Sequence, residues 1–248
     1  DLEIHRTEND LVVGTFGRGF WVLDDYTPLR VADAAALDTD EATLFPVKKA
    51  WMFFERTPWG LPGKGSMGDQ AFLRENPPVG AVFTYHLGEG LQTKRELRLA
   101  SEKEVWQKGG DLQYPSWESL REEDRENAPR IVLTVRDDQG NVVRRIDGPK
   151  SAGTHRVHWD FRYPSPEPTD LTPPAWVSPW SGGTEGALAM PGRYTVELSK
   201  VVDGAWTDLA GPVPFECEVL AQATLPADRR EDLTGFQREV ASLQRVLL

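Results

Sequence analysis

The sequence predicts a mainly β protein whose main unit is an antiparallel β-sandwich of the immunoglobulin or fibronectin type. Across residues 77–220, short β-forming runs alternate with turns, as they do in such sandwiches, and the last of these runs is residues 214–220. Residues 131–135 and 142–146 flank the turn-forming residues 137–141, which predicts a β-hairpin. Within this sandwich we expect Trp159 to be the central aromatic residue of the core.

The first 30 residues predict a β-meander that precedes the sandwich. Strongly β-forming runs lie on both sides of the turn Gly17-Arg18-Gly19, and a third short run, residues 2–6, comes before them. Three strands cannot cover both faces of their own sheet, and meanders of this kind are commonly part of one propeller blade. We therefore expect residues 1–30 to be the last strands of a larger propeller, cut from it, that dock on the sandwich or on a neighbouring chain.

Residues 31–76 predict an irregular connection rather than a domain. Several prolines and the glycine-rich tract 60–68 interrupt any long helix or strand. The apolar stretches 44–46 and 50–54 are exceptions, and we expect them to hold the connection against a neighbouring surface because long unsupported loops are rare in compact proteins.

Two helical regions interrupt the β pattern. A helical insertion is predicted at about residues 94–127. Its segment 94–107 is rich in helix formers, and Ser101 and Glu104 have the spacing of a capping box; Ser116 is placed to cap a second helix at 117–126. The segment 221–248 predicts a C-terminal helix with a narrow apolar seam. Such a seam suits one partner, so this helix either braces the sandwich or mediates self-association. The seam residues are Leu233, Phe236, Val240, Leu243 and Leu247.

Composition narrows the classes of partner and of chemistry. The 248 residues carry a formal net charge of -11, which argues against a nucleic-acid or anionic-membrane partner. No run of about 18 apolar residues is present, so no membrane span is predicted. The single cysteine, Cys217, alternates in phase with Phe215 and Val219, which indicates a core thiol rather than a nucleophile or a metal ligand.

No catalytic residue, metal site or cofactor is predicted from the motifs. Asp24 and Asp25 are adjacent, so they do not form a dyad by themselves, and we expect them to end a strand and start a turn. His155 and His158 lie three residues apart on a predicted strand, which places them on opposite faces. The glycine-rich run 14–19 is followed by a strand where a phosphate loop needs a helix.

Four tryptophans are the candidate binding residues. Trp176 and Trp180 lie in the proline-rich loop 173–183, while Trp51 and Trp59 lie in the connection. Loops carry binding residues more often than strands do. A carbohydrate-binding role requires several of these rings to be exposed in one plane; the alternative is that the rings fold back to cover the edge of the sandwich.

Several stretches carry a resemblance to a known family. The segment LVVGTFGRGFWVLDDYTPLR resembles the end of the last blade in bacterial sortilin-type and neuraminidase-repeat (BNR) β-propeller proteins, which are often labelled glycosyl hydrolases. The segments YPSWESLREEDRENAP, GNVVRRIDGPKSAGTHRVHWDFRYP and MPGRYTVELSK resemble the C-terminal part of the same proteins, an immunoglobulin-like domain similar to that of flagellar hook-capping proteins.

The resemblance implies a function as well as an architecture. It implies a non-catalytic accessory region, structural and immunoglobulin-like, of an extracellular or periplasmic propeller protein, with a role in assembly or binding. The remainder of the propeller would then be one partner, and a polysaccharide or a protein another. The alternatives are the supporting part of a glycoside hydrolase whose active site lies in other blades, or a carbohydrate-binding module. Because a fold does not establish an activity, these classes stay open at this point.

Overall fold

The fold is mainly β. The computed structural model describes residues 1–32, 37, 41–53, 77–168, 172, 176, 185–220 and 229–247. Within these residues the chain forms eleven strands and four helices, and the strands group into three sheets.

Two of the sheets face each other and form the predicted sandwich. The smaller sheet has the order β4-β6-β9, and the larger has the order β5-β11-β10-β7-β8. The strands of the smaller sheet are β4 (Ala42–Leu44), β6 (Ala81–Leu87) and β9 (Gly153–Trp159). Those of the larger sheet are β5 (Ala50–Met52), β7 (Arg130–Asp137), β8 (Val142–Gly148), β10 (Gly192–Val202) and β11 (Ala205–Val219).

This strand order is that of an immunoglobulin-like domain. In such domains a Tyr near the start of the sixth strand donates its hydroxyl proton to a backbone carbonyl a few residues upstream, a feature called the tyrosine corner. Here Tyr194, at the start of β10, donates to the carbonyl oxygen of Met190. The prediction of an immunoglobulin-type sandwich is therefore confirmed in both its layers and this local feature.

The core lies between the two sheets, with Trp159 at its centre as predicted. Its indole ring is 1% exposed and packs edge-to-face against Phe161, Tyr194 and Phe215, with ring centroids 5.6, 5.1 and 6.3 Å away. The alternation of β6 turns Ala81, Phe83, Tyr85 and Leu87 into the same core. Apolar alternation on both inner faces thus accounts for the sandwich.

The prediction that residues 31–76 form an irregular connection is wrong in part. Strand β4 pairs with β6, and β5 pairs with β11, so the sandwich begins at residue 42 rather than at residue 77. The apolar stretches that we expected to hold the connection in place are therefore strands. β5 runs parallel to β11, a departure from the all-antiparallel prediction, because the chain crosses from one sheet to the edge of the other between β4 and β5.

Turn and cap chemistry fix the ends of several elements. The predicted β7–β8 hairpin is closed by Asp137, whose Oδ1 accepts hydrogen bonds from the backbone N–H groups of Gln139 (3.1 Å) and Asn141 (2.7 Å). A second hairpin, β10–β11, turns at Asp203 and Gly204, which both have positive φ. Such Asp-Gly pairs favour two-residue hairpin turns.

The helical insertion consists of α2 (Lys94–Gln107) and α3 (Trp117–Arg125). The capping box of α2 is formed by Thr93 and Glu96, not by Ser101 and Glu104, which lie inside the helix. Ser116 caps α3 as predicted, by accepting a hydrogen bond from the Ser119 N–H at 3.1 Å. No residue of either helix is buried, so the insertion projects from the sandwich.

The remaining elements flank the sandwich. The predicted meander is confirmed as β1 (Leu2–His5), β2 (Asp10–Gly14) and β3 (Phe20–Leu23), followed by the short helix α1 (Thr27–Val31). The C-terminal helix is α4 (Arg230–Leu247).

Candidate binding surfaces

The structure describes two of the four candidate tryptophans, Trp51 and Trp176. Trp59 and Trp180 lie outside the described residues. Trp176 is 73% exposed, which fits a binding role better than a role in covering the sandwich. Trp51 lies on the edge strand β5, is partly covered, and has the ammonium group of Lys49 5.6 Å from its ring centroid. Thus one candidate, Trp176, is freely accessible.

The meander is attached to the sandwich through polar groups at one end. The guanidinium of Arg156, on β9, donates hydrogen bonds to the carbonyl oxygens of Asp24 and Asp25, both at 2.6 Å. Lys48 donates to the carbonyl oxygen of Glu8 at 3.1 Å and lies 3.4 Å from its carboxylate. Asp24 and Asp25 follow the end of β3, as expected for a turn. Hydrogen bonds and the Lys48–Glu8 ion pair therefore attach residues 1–30 at this end of the sheet, where Pro28 of the helix that follows is also buried.

One face of the meander is apolar on all three strands. Cross-strand partners project to the same face of a sheet, and the register pairs Leu2 with Val13 and Val13 with Trp21, then Ile4 with Leu11 and Leu11 with Leu23. We call these six side chains the meander face. Leu2 is 58% exposed, Ile4 41%, Trp21 66% and Leu23 40%, so the described residues leave this face largely uncovered.

The helical insertion carries a second exposed apolar surface. Tyr114 precedes α3 and Trp117 begins it; the two rings are 77% and 73% exposed by residue and meet at 62° with their centroids 6.4 Å apart. Beside them is a cleft of about 340 Å³, which we call the hairpin cleft. Its lining residues are Arg98, Glu102, Leu112, Gln113, Tyr114, Pro115 and Leu120.

Arg98 joins the two helices at the base of the hairpin cleft. Its Nε and Nη2 donate to the two carboxylate oxygens of Glu123 on α3, at 2.7 and 2.9 Å, and its Nη1 donates to Glu102 at 2.7 Å. These bonds lower the pKa of Glu123, chiefly through the hydrogen bond from Arg98, and raise the pKa of Arg98. Charge-assisted, two-pronged pairing of this kind fixes geometry, so the polar side of the cleft is held in place.

Sequence reasoning missed the hairpin cleft although a signal was available. Tyr114 and Trp117 belong to a stretch, residues 112–117, in which apolar and aromatic side chains stand between two charged helical segments.

The C-terminal helix shows a third exposed surface: the predicted seam residues are 43% to 83% exposed, and the helix contacts the sandwich through other side chains. Arg238 lies over the Tyr163 ring at 5.2 Å, and the Thr234 hydroxyl is 3.1 Å from Met190 Sδ.

Cys217, His155 and His158 are the reactive side chains that the sequence singled out. Cys217 is buried, and burial raises the pKa of its thiol to about 12, so the nucleophilic thiolate is suppressed. His155 Nε2 lies 2.7 Å from the carbonyl oxygen of Ser151, and His158 lines a separate polar cleft with Arg144 and Arg145. Among the described residues no group of three or more His, Cys, Asp or Glu side chains could hold a metal ion.

None of the described helices has the length and apolar character needed to cross a membrane. Comparison with known proteins gave no assignment: no protein-family model matches the chain, and no curated protein matches it either. The exposed surfaces themselves are therefore the observations on which a function can be argued.

Proposed function

We propose that this chain is a non-catalytic accessory region of a secreted β-propeller protein, in which the immunoglobulin-like sandwich serves as a structural module for assembly or binding. In this proposal the meander contributes strands to a propeller blade of the BNR or sortilin type. The observation that carries the proposal is the meander face, because its apolar side chains cover three strands and lie open to solvent. Large exposed apolar patches mark surfaces that bind other protein surfaces.

The polar attachment of the meander supports this role. Arg156 and Lys48 hold only the end of the sheet where residues 8–10 and 24–26 lie, and they leave both faces of the strands available. A blade sheet in a propeller is stacked between neighbouring blades and so needs two accessible faces. The opposite face of the meander includes Phe20, which is 84% exposed, and Val22, which is 54% exposed. The meander can therefore be sandwiched between two other sheets.

The chemistry of the described side chains also fits an accessory role. The buried thiol of Cys217 is held in its neutral form, and the carbonyl groups of the paired residues Asp24 and Asp25 serve the attachment of the meander. Catalytic groups need pKa values matched to the operating pH and open access to substrate. The raised thiol pKa works against nucleophilic catalysis at neutral pH.

The test compares this chain with the complete product of the gene that encodes it. Trp21→Glu places a charge on the meander face, and Trp106→Glu, on α2, is the matched control at a tryptophan of similar exposure, 70% against 66%. In the isolated chain neither substitution should change the midpoint of thermal unfolding. In the complete product Trp21→Glu should lower the midpoint, because a buried unpaired charge is costly, while Trp106→Glu should have no effect. An unchanged midpoint for Trp21→Glu in the complete product would refute the proposed docking.

A further inference from the structure

The hairpin cleft combines an aromatic wall with a fixed polar wall. Tyr114 forms the aromatic side, and the exposed ring of Trp117 meets the Tyr114 ring beside the cleft without lining it. Leu112 adds another exposed apolar side chain, 51% accessible. Arg98, Glu102 and Gln113 form the polar side. Small-molecule sites are concave, mostly apolar, and contain a few well-placed polar groups, with volumes from about 300 Å³. The cleft of about 340 Å³ lies at the lower end of that range.

The polar wall keeps hydrogen-bonding groups that the protein does not use. A guanidinium has five N–H donors, and three nitrogen atoms of Arg98 each make one hydrogen bond to a carboxylate, which leaves further N–H groups on Nη1 and Nη2. A carboxylate has about four acceptor positions, and one oxygen of Glu102 accepts a single bond from Arg98. The Gln113 amide is both a donor and an acceptor. A ligand that donates and accepts hydrogen bonds on several sides therefore suits the polar wall.

The local charge selects among ligand classes. Two carboxylates, those of Glu102 and Glu123, face the guanidinium of Arg98, and the charge of Arg95 also acts on Glu123, so the charges of the group balance. A balanced group does not favour anionic ligands such as phosphates, uronates or sialosides, and the net charge of -11 on the chain works against them. Recognition of a quaternary ammonium uses a cage of aromatic faces. Here the edge of one ring lies against the other ring, at 62°, so the two faces do not enclose a common space for a cation.

We infer that the hairpin cleft binds a neutral saccharide, with a sugar ring against Tyr114, next to Trp117, and its hydroxyl groups hydrogen-bonded to Arg98, Glu102 and Gln113. A pyranose has an apolar face of C–H groups and a rim of hydroxyls that donate and accept, which matches the two walls. The inference does not depend on the role of the meander, because the cleft residues lie on the projecting helical insertion. The proposed site also differs from the described tryptophans that the sequence favours, since neither Trp51 nor Trp176 lines the cleft.

The experiment measures binding of defined neutral oligosaccharides by saturation-transfer NMR. The probes are cellohexaose, xylohexaose, mannohexaose, maltohexaose and chitohexaose, with 3′-sialyllactose and tetramethylammonium as the anionic and cationic comparison ligands. At least one neutral hexasaccharide should show transfer that saturates with concentration, and the two comparison ligands should show none. Absence of transfer for all five hexasaccharides, or transfer for tetramethylammonium alone, would overturn the inference.

Matched variants locate the site. Tyr114→Ala should weaken binding roughly tenfold, the equivalent of about 1.4 kcal/mol, and Trp117→Ala, next to the cleft, should act in the same direction. Trp176→Ala is the control, because Trp176 and Trp117 are both 73% exposed. All three variants should keep the thermal midpoint of the parent, since none of the replaced rings is buried. Loss of binding in Trp176→Ala with retention in Tyr114→Ala would assign the saccharide to the loop instead and refute the cleft.

Discussion

Replacing Trp159 by alanine should destabilise the sandwich by about 4 to 5 kcal/mol, the upper part of the usual range for truncating a buried large aromatic residue. The structure gives two reasons for the upper part. The indole is in edge-to-face contact with Phe161, Tyr194 and Phe215, and such pairs contribute about 0.5–1.5 kcal/mol each beyond the burial of area. Its Nε1 also donates to the Arg162 carbonyl oxygen at 2.9 Å, and this acceptor loses its partner.

The assay is guanidinium-induced unfolding followed by far-ultraviolet circular dichroism, so that the loss of a fluorophore does not affect the signal. Because small domains are stable by only about 5–15 kcal/mol, Trp159→Ala is accompanied by Trp159→Phe. The milder variant keeps an aromatic ring in the core but loses the hydrogen bond, and should cost about 1–3 kcal/mol. It supplies a measurable value if the alanine variant fails to fold.

Trp206→Ala is the control for the same residue type at the surface. Trp206 is 49% exposed and interacts with Arg145, whose guanidinium carbon lies 5.2 Å from the ring centroid. Its removal should cost no more than about 1 kcal/mol, the scale of exposed cation–π contacts. A loss below about 1 kcal/mol for Trp159→Ala, with an unchanged denaturant dependence, would contradict the central place of this residue in the core.

Four further predictions follow from other parts of the chain. The pKa of Glu123 is lowered in the folded state, so its ion pair with Arg98 stabilises the helical hairpin at pH values above the ordinary glutamate pKa of 4.5. This stabilisation is lost as the pH falls through the lowered pKa. NMR of the Arg98 Nε–H should follow the loss, and in Glu123→Gln the pH-dependent change of this signal should be absent. Gly80→Ala should destabilise the sandwich by more than about 1 kcal/mol, since φ is +143° and the added Cβ would lie 2.1 Å from the Trp159 carbonyl oxygen; an unaltered unfolding midpoint would contradict this. Cys217 should resist iodoacetamide at neutral pH until the protein unfolds, because its thiol pKa is raised to about 12; rapid alkylation of the native protein would show that the thiol is accessible. The chain alone should hydrolyse neither aryl glycosides nor sialosides, and turnover that disappears when one carboxylate is replaced would disprove the non-catalytic proposal.

The sandwich was predictable where a local signal and the final structure agree. The turn between β7 and β8 has its Asp and Gly residues at the positions that the hairpin requires, and Gly140 has a φ of +82°. Helix α2 was placed at its observed bounds, 94–107, from its composition, although its capping box was assigned to the wrong pair. Helix-forming residues are informative as a sum over a segment, while the cap depends on the conformation of one residue before the helix.

The edge strands were not predictable by the same reasoning. β4 and β5 have three residues each, too few to show a period of two, and prolines nearby indicate a loop. Their pairing with β6 and β11 is decided by tertiary contacts, in which Leu44 and Ala50 enter the core. β11 was predicted too short, at residues 214–220, because Gly211 and Pro212 suggest a boundary where the strand continues. Propensity is overridden in these places by burial and pairing.

The binding surfaces were hardest to predict because the same side chains serve cores and surfaces. Binding candidates were chosen from the sequence among the tryptophans outside the predicted strands and helices. In the structure the ring of Trp159, on a strand, is buried as predicted, while that of Trp117, at the start of a helix, is open. What separates them is the presence of an opposing layer: β9 faces the larger sheet, whereas α2 and α3 have no buried residue. The sandwich core therefore does not need the aromatic residues of the insertion. Variants at Tyr114 and Trp117 can consequently test binding while the core, measured through Trp159, stays unchanged.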